Sequence, residues 1–440
     1  MEVLPRAMLP RPVGRAMAER FDAIIIGASP AGLTAAINLG RAGRKVVLLE
    51  LPQEIESVRL LSLPVAKAAL KELPRDESMM RAMTRVRRVS THKKLWAATE
   101  IGAPTADKAD LISVEMDDFI AALGKLAEAA GVHRRGGFKG LLVEESGRVR
   151  GVKTTDGDDI FALVTIIADG EASESAAAVA PLQDALPEQE VLFASETWDV
   201  GHEHLNTQMN TLSLQGELTL ISGELLGGLP NARAWIFPGS ETLSLGVTLP
   251  REAAQAAHVS VDDALNRVLT HPAFSRFFKG GKRERRVLHV RRRGGLSDLR
   301  RLFGDGWLVA GEAAGIRDPR HPYELRMELT SGQCAADAAL QALEIKDSSR
   351  TTLGLYKRML MDSYVWPELK FAGDELARHE KNPDFDAYYP ELMVRRLALD
   401  LEAGTEARTD LHDEFTGQVR SERPLWELIK AGVSGFRVFG

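Results

Sequence analysis

The run Asp22-Ala23-Ile24-Ile25-Ile26, followed at once by Gly27-Ala28-Ser29-Pro30-Ala31-Gly32, constrains this chain more than any other feature. A short, continuous apolar run bounded by glycine reads as a strand buried on both faces, as in a parallel sheet. A helical pattern follows from Leu33 to Arg41, Gly43 stops it, and Lys45–Leu49 reads as a second buried strand. Glu50 closes the unit 18 residues after Gly32. Gly27 permits the tight turn out of the strand, and Gly32 lets the helix pack closely on the sheet. The helix N-terminus that opens at Pro30-Ala31 presents free N–H groups and the positive end of the helix dipole, which suit a pyrophosphate. An acid at the end of the second strand suits ribose hydroxyls. Strand, turn, helix, strand and acid in this order predict a dinucleotide-binding βαβ unit from Phe21 to Glu50. Ser29 stands where the middle glycine of such a turn normally lets the backbone approach the phosphates. Its Cβ restricts that approach, while its hydroxyl is able to donate to a phosphate oxygen. The alternative is a βαβ unit whose nucleotide site has weakened.

Composition narrows the class. With 440 residues there is room for two or three compact domains, and 44% apolar with 27% charged residues is ordinary for a globular protein. A net charge of −6 argues against bulk attraction to nucleic acid. No apolar run reaches the roughly 20 residues of a membrane-spanning helix. The single cysteine, Cys334, excludes an internal disulfide and an iron–sulfur cluster held by this chain alone. A reducing cytoplasm is the default expectation. Residues 1–20, with four arginines and Met17, read as a disordered leader or as sequence upstream of the true start.

Further along, a helical pattern from about Met116 to Ala130 ends at Gly131, and strand patterns around Phe138–Glu144 and Val149–Thr154 flank the turn Ser146-Gly147. Leu163–Ile167 is another buried-strand pattern, ending in Ala168-Asp169-Gly170-Glu171-Ala172-Ser173. Trp235–Pro238 and Leu243–Val247 read as paired strands joined through Pro238-Gly239. Near the C-terminal third stands Leu302 to Gly315, with Gly311-Glu312-Ala313-Ala314-Gly315, followed by Ser331-Gly332-Gln333-Cys334-Ala335-Ala336.

Taken with the βαβ unit, the Ala-Asp-Gly-x-x-Ser ending and the Gly-Glu-Ala-Ala-Gly stretch resemble the two FAD motifs of the glutathione-reductase-like flavoprotein superfamily. Tyr356, Asp362-Ser363-Tyr364-Val365 and Leu369-Lys370 sharpen the likeness. Over most of 20–370 the chain resembles the Fix-type electron transfer flavoprotein:quinone oxidoreductases, near the geranylgeranyl reductases. The resemblance implies an α/β fold: a Rossmann-like FAD-binding domain with an inserted α+β substrate domain and a helical C-terminal region. It assigns 21–60, 111–185 and 295–345 to the FAD domain, 61–110 and 186–294 to the substrate domain, and 346–440 to the helices. It implies FAD as cofactor, held by Gly27, Ser29, Pro30, Ala31, Gly32, Glu50, Asp169, Gly170, Gly311, Glu312, Ala313 and Gly315. The implied activity is electron transfer from a protein donor, an electron transfer flavoprotein, to a quinone, with any cluster in a separate ferredoxin-like subunit. Peripheral contact with the inner face of a membrane is implied too. Prenyl-chain reduction and a non-catalytic family member with weak or absent flavin binding are the alternatives.

Three departures from the family pattern bear on the flavin. Glu312 stands for the family's Asp, one methylene longer. Glu324, in Arg320-His321-Pro322-Tyr323-Glu324-Leu325, occupies a glycine position near the flavin ring, where a carboxylate opposes the charge of a reduced flavin. After Glu50 comes Leu51-Pro52-Gln53-Glu54-Ile55-Glu56 in place of a basic, glycine-containing segment. The nucleotide end is thus expected to be better preserved than the ring end. No catalytic side chain and no metal-ligand spacing emerges, His202, His204, His289 and His321 included. Residues 282–301, with nine Lys or Arg and only Glu284 and Asp298 as acids, read as a docking patch or a solvated face. The tail Leu425-Trp426-Glu427-Leu428-Ile429-Lys430, then Val433, Phe436 and Phe439, reads as membrane-facing or as packed on the protein's own body.

Overall fold

The computed structural model describes residues 19–51, 62–66, 80–105, 108–138, 140–154, 159–182, 189–209, 215–320, 324–401 and 407–430. The sequence signals at Met17, Pro52–Glu56, His321–Tyr323, Val433, Phe436 and Phe439, and the Glu324 side chain, fall outside these residues.

The α/β class expected from the sequence is what the structure shows. A six-stranded sheet runs in the order Phe303–Gly304, Trp307–Val309, Val164–Ile167, Ala23–Ile26, Val46–Leu49, His133–Arg135. All neighbours pair parallel except the Phe303–Gly304 hairpin strand. Register is tight: Ile26 pairs with both Leu49 and Ile167, so the three strands end level. Ala23–Ile26 and Val46–Leu49 are at most 1% exposed, which is why their sequence shows no polar alternation. The helix Pro30–Arg41 begins three residues before the apolar pattern does, because Ser29 caps it and Pro30 tolerates the first helical position.

Helices Pro30–Arg41, Met116–Ala129 and Glu324–Ile345 cover one face of this sheet. A four-stranded sheet, Glu19–Arg20, Asp159–Phe161, Arg148–Thr154 and Gly140–Glu145, lies against the other. Its hairpin turns at Ser146 (φ 52°) and Gly147 (φ 77°), a pair of left-handed residues suited to a two-residue turn. One apolar core joins the three layers.

The second body is a nine-stranded sheet. Its path runs Lys282–Arg292, Glu190–Asp199, Thr242–Pro250, Arg233–Pro238, Gln215–Ile221, Met80–His92, Leu111–Glu115, Ser62–Ala66, with Leu95–Gly102 paired to Met80–His92. Leu111–Glu115, which the sequence reading assigned to the FAD domain, pairs here with Ser62–Ala66 and Met80–Ala82. The boundary falls one element later, at the helix Met116–Ala129. One face of the large sheet packs on helices Arg251–Ala256, Val261–Thr270 and Ser275–Phe278. The other carries Phe193, Leu218, Trp235, Phe237 and Val287.

Helices Leu355–Asp362, Val365–Lys381, Tyr388–Leu399 and Arg408–Glu422 form the C-terminal region. A buried polar network pins it to the sheet. Asp386 accepts from His379 (2.9 Å), Arg233 (3.0 Å) and the Asn231 N–H (2.8 Å). Arg320 bonds Asn231 Oδ1 (3.1 Å) and pairs with Glu375 (3.1 Å). Burial and then the Arg233 charge push the Arg320 guanidinium down to about 10. Although burial opposes it, the His379 hydrogen bond and Arg233 hold the Asp386 carboxyl well below the carboxylate range.

Candidate functional site

The carboxyl ends of three adjacent parallel strands deliver Gly27, Glu50 and Asp169 to one edge of the sheet, and Trp307–Val309 delivers Gly311 beside them. This is the edge at which open α/β sheets bind ligands. Steric limits show how closely the loops meet. A Cβ on Gly27 (φ 101°) would lie 2.4 Å from Ala168 O, and one on Gly311 (φ 64°) would lie 2.9 Å from Ala31 Cβ. A Cβ on Gly32 would lie 2.1 Å from Gly27 O. Glycine at these positions lets the two turns and the loop after Ile167 close on one another.

Ser29 solves the substitution in its own way. Its φ of −71° and ψ of 168° are ordinary extended backbone, and its Oγ accepts from the Gly32 N–H at 3.2 Å. The hydroxyl caps the helix. Pro30 has no N–H, so Ala31 is the first-turn residue left to offer one to an anion. Glu50 is positioned by Arg134, whose Nε bonds Oε1 at 2.5 Å. That hydrogen bond is the main reason the Arg134 guanidinium is pushed up. Gly124 makes room for Arg134, since a Cβ there would meet its Nη1 at 2.6 Å. Only Oε1 of Glu50 takes part in the hydrogen bond to Arg134.

Asp169 is raised to about 6, chiefly by burial, against hydrogen bonds from Ser173 and Ser175 that lower it. Its Oδ1 is buried without a hydrogen-bond partner. A ligand hydroxyl at that edge would satisfy it. Gly170 (φ 88°) follows with open space at its Cβ position. In the second stretch, Gly311 to Ala314 forms a single 3-10 turn closed by Gly315 (φ 79°). The Gly311 N–H donates to Ser331 Oγ at 2.9 Å, and a Cβ on Gly332 would lie 2.2 Å from Ala31 O. The Ser331-Gly332 pair therefore locks the helix Glu324–Ile345 against both phosphate-side turns.

Glu312, the longer substitute, turns to Arg317: Nη2 lies 3.0 Å from its Oε1 and 2.9 Å from Glu171 Oε2. Burial works against ionising Glu171, yet Arg317 and then His289 bring it down to about 2. Arg317 also donates to Arg292 O (3.1 Å), and His289 Nε2 lies 3.6 Å from Glu171. This cluster joins the nucleotide edge to the outermost strand of the large sheet. Arg134, Glu171, His289 and Arg317 were not read as site residues from the sequence. Their partners lie far away along the chain, and a lone arginine carries no spacing signal.

The remaining features resolve differently. The basic run occupies the edge strand Lys282–Arg292 and the loop after it, and much of its charge is spent internally. Arg283 and Arg286 pair with Glu196, Arg292 with Asp298, and Arg293 with Glu380. Arg291 sits 4.0 Å over the Phe193 ring. Cys334 is buried, and burial followed by the Asp337 charge pushes its thiol up to about 11. Leu425, Trp426 and Ile429 are each at least 60% exposed. Among the described residues no helix is long and apolar enough to cross a membrane, and no three His, Cys, Asp or Glu side chains gather as for a metal.

Comparison with known proteins agrees with this geometry. Residues 21–162 match the family model described as pyridine nucleotide-disulphide oxidoreductase. A protein named FixC from Azotobacter vinelandii is 27% identical over 389 residues, covering 86% of this chain and 90% of its own. Protein FixC of Escherichia coli K12 is 29% identical over 431 residues, covering 95% and 99%. Among solved structures, a geranylgeranyl bacteriochlorophyll reductase-like protein from Thermoplasma acidophilum superposes with TM-score 0.67 at 20% identity, covering 82% of this chain and 88% of that one. A flavin-dependent brominase superposes with TM-score 0.60 at 20% identity, covering 91% and 100%.

Proposed function

We propose that this chain, an FAD-dependent oxidoreductase and a divergent relative of the FixC proteins, passes electrons from a protein donor to a quinone at a membrane surface. The observation that carries the FAD part is the convergence of both glycine-rich turns and Asp169 on one sheet edge, with the Asp169 Oδ1 left for a ligand. The residues fit the cofactor: Ala31 with the helix dipole toward the pyrophosphate, Glu50 toward ribose, Asp169 and the Gly311–Gly315 turn toward the sugar-phosphate chain. Bound FAD supplies the capacity to take up and release two electrons. The chain's own contribution is to orient the nucleotide and to hold Glu312 against Arg317, which it shares with Glu171, so that the guanidinium offsets part of the carboxylate charge beside the phosphates.

The quinone reading draws on the extent of the FixC match, which spans the C-terminal helices as well as the nucleotide domain. The exposed Leu425, Trp426 and Ile429, one face of a short helix, favour peripheral membrane contact. In the overall reaction a quinone takes two electrons from the donor and two protons from water to give the quinol. The test is quinone reduction by the purified flavin-loaded protein with a reduced electron transfer flavoprotein and vesicles of bacterial lipid. Turnover is expected; a flavin-loaded protein that accepts electrons but never delivers them to quinone refutes the reading. The apolar sheet face around Phe193 and Phe237 also suits a prenyl chain, and double-bond reduction in a geranylgeranyl substrate in the same assay would favour that second reading instead.

A further inference from the structure

We infer that Arg134 is a positioning residue for nucleotide binding: it acts through Glu50, Gly124 gives it its seat, and the three make this sheet edge selective for a nucleotide with free ribose hydroxyls. The inference rests on the FAD reading above and adds the residues that stand behind the ribose contact.

Leu48 is the register partner of Arg134, and Glu50 follows Leu48 by two residues, so Arg134 and Glu50 project from the same face of the sheet. The Glu50 backbone is already held: its N–H donates to Arg135 O at 2.8 Å, and its carbonyl accepts from the Phe138 N–H at 2.7 Å. The side chain is the freedom that remains, and Arg134 removes it. Arg134 Nε donates to Glu50 Oε1 at 2.5 Å while its Nη1 donates to Glu128 Oε1 at 2.7 Å. The guanidinium is thus strung between the strand end and the helix Met116–Ala129. Arg135, the next residue on the strand, turns to the other face and pairs with Glu19 at 2.5 Å.

Gly124 is an independent sign of the same arrangement. It is buried in the middle of the helix Met116–Ala129, and its φ is not positive, so no turn requires glycine there. Only proline is a poorer residue for a helix interior. The three atoms nearest to a Cβ built on it all belong to Arg134: Nη1 at 2.6 Å, Cζ at 3.0 Å and Nη2 at 3.3 Å. The helix gives up propensity to leave the guanidinium its place. The chemical gain is at Glu50. An untethered glutamate must be ordered when a ribose arrives, and it carries a negative charge toward a pyrophosphate. Arg134 fixes the side chain beforehand and offsets that charge. The Glu50 side chain stays 21% exposed, so it is held without being sealed off. A carboxylate fixed in this way accepts from ribose hydroxyls and gains nothing from a sugar that lacks them.

The test compares ADP with 2′,3′-dideoxyADP, which differ only in the two ribose hydroxyls, by calorimetric titration of the full-length flavin-free chain. In the wild type ADP is expected to bind about ten- to a hundredfold tighter, the range of hydrogen bonds to a charged group. In Arg134→Gln that ratio is expected to fall about tenfold, the weight of ordering one glutamate side chain, while general damage to the fold affects both nucleotides alike and cancels. Arg135→Gln, the same charge change one residue along the strand, should leave the ratio as it is. If Arg134→Gln does not fold, Gly124→Ala replaces it: the new methyl displaces the guanidinium, keeps every charge and improves helix propensity, so the ratio should fall without a lower melting temperature. A wild type that does not prefer ADP, or a ratio unchanged in Arg134→Gln or in Gly124→Ala, overturns the inference; with FAD still bound, the FAD reading stands. A chain that binds neither nucleotide overturns both. A chain that shows the expected ratios but takes up no FAD would refute the flavin reading and leave the role of Arg134 standing.

Discussion

Gly32 is the position at which one methyl group should do the most damage. In Gly32→Ala the new Cβ would lie 2.1 Å from the Gly27 carbonyl oxygen and 3.3 Å from the Ala168 Cβ. The obstruction at 2.1 Å is backbone, so no rotamer change relieves it, and the helix Pro30–Arg41 must retreat by about 1 Å. Overpacking of this kind costs about 1–3 kcal/mol, and alanine's better helix propensity returns no more than about 1 kcal/mol. For a domain of this size the net loss corresponds to a melting temperature lower by roughly 2–8 °C. The same retreat carries the Ala31 N–H away from the phosphate and opens the contact with Gly332, whose own Cβ position is 2.2 Å from Ala31 O. Flavin content per chain after purification and thermal unfolding of the flavin-free protein measure the two effects separately. Gly32→Ala with wild-type flavin content and wild-type melting would refute the close-packing argument for the site.

Ser29→Ala removes the cap on Gly32 but keeps the Cβ, and should lose about 1 kcal/mol of stability; Ser29→Gly should lose only a few tenths and retain flavin better than the wild type, as read by dialysis against FAD-free buffer. Asp386→Asn leaves Arg233 buried without its anion and His379 without its carboxylate partner, and should cost about 3–5 kcal/mol in urea unfolding, although it is far from the nucleotide edge. Two carboxyls give opposite pH slopes in the flavin-free protein. Glu171 is depressed to about 2, so its contribution is complete above its ordinary 4.5 and is lost as pH falls from there. Asp169 is raised to about 6, so the unfolded chain releases its proton first and stability declines between pH 3.8 and 6, by up to about 3 kcal/mol. Asp169→Asn should abolish the second slope and leave the first, which urea titrations across pH will show.

What was legible in the sequence is what is encoded locally. The βαβ unit could be read because its strands are continuous apolar runs, its cap and turns are contiguous, and its acid sits at a fixed distance. The helix Met116–Ala129 and the Ser146-Gly147 hairpin were readable for the same reason. Leu111–Glu115 was misplaced because its partners, Ser62–Ala66 and Met80–Ala82, are set by tertiary pairing that its own five residues do not announce. The ion pairs that finish the site were invisible too. Glu50 and Arg134 are separated by 84 positions and Arg317 and Glu171 by 146, and nothing in either sequence neighbourhood marks the other. Arg81, fully buried and bonded to Gly239 O, Ser240 O and Gln215 O, is a further case, since arginine normally signals surface. The substitutions at Ser29 and Glu312 looked like losses in sequence; in the structure each side chain has a partner, Gly32 for one and Arg317 for the other.

The visible absorption spectrum of the purified protein tests the central claim most directly. The account predicts a flavin spectrum and release of one FAD per chain on denaturation. A colourless protein that takes up no FAD on reconstitution, while folded and melting cooperatively, would contradict it.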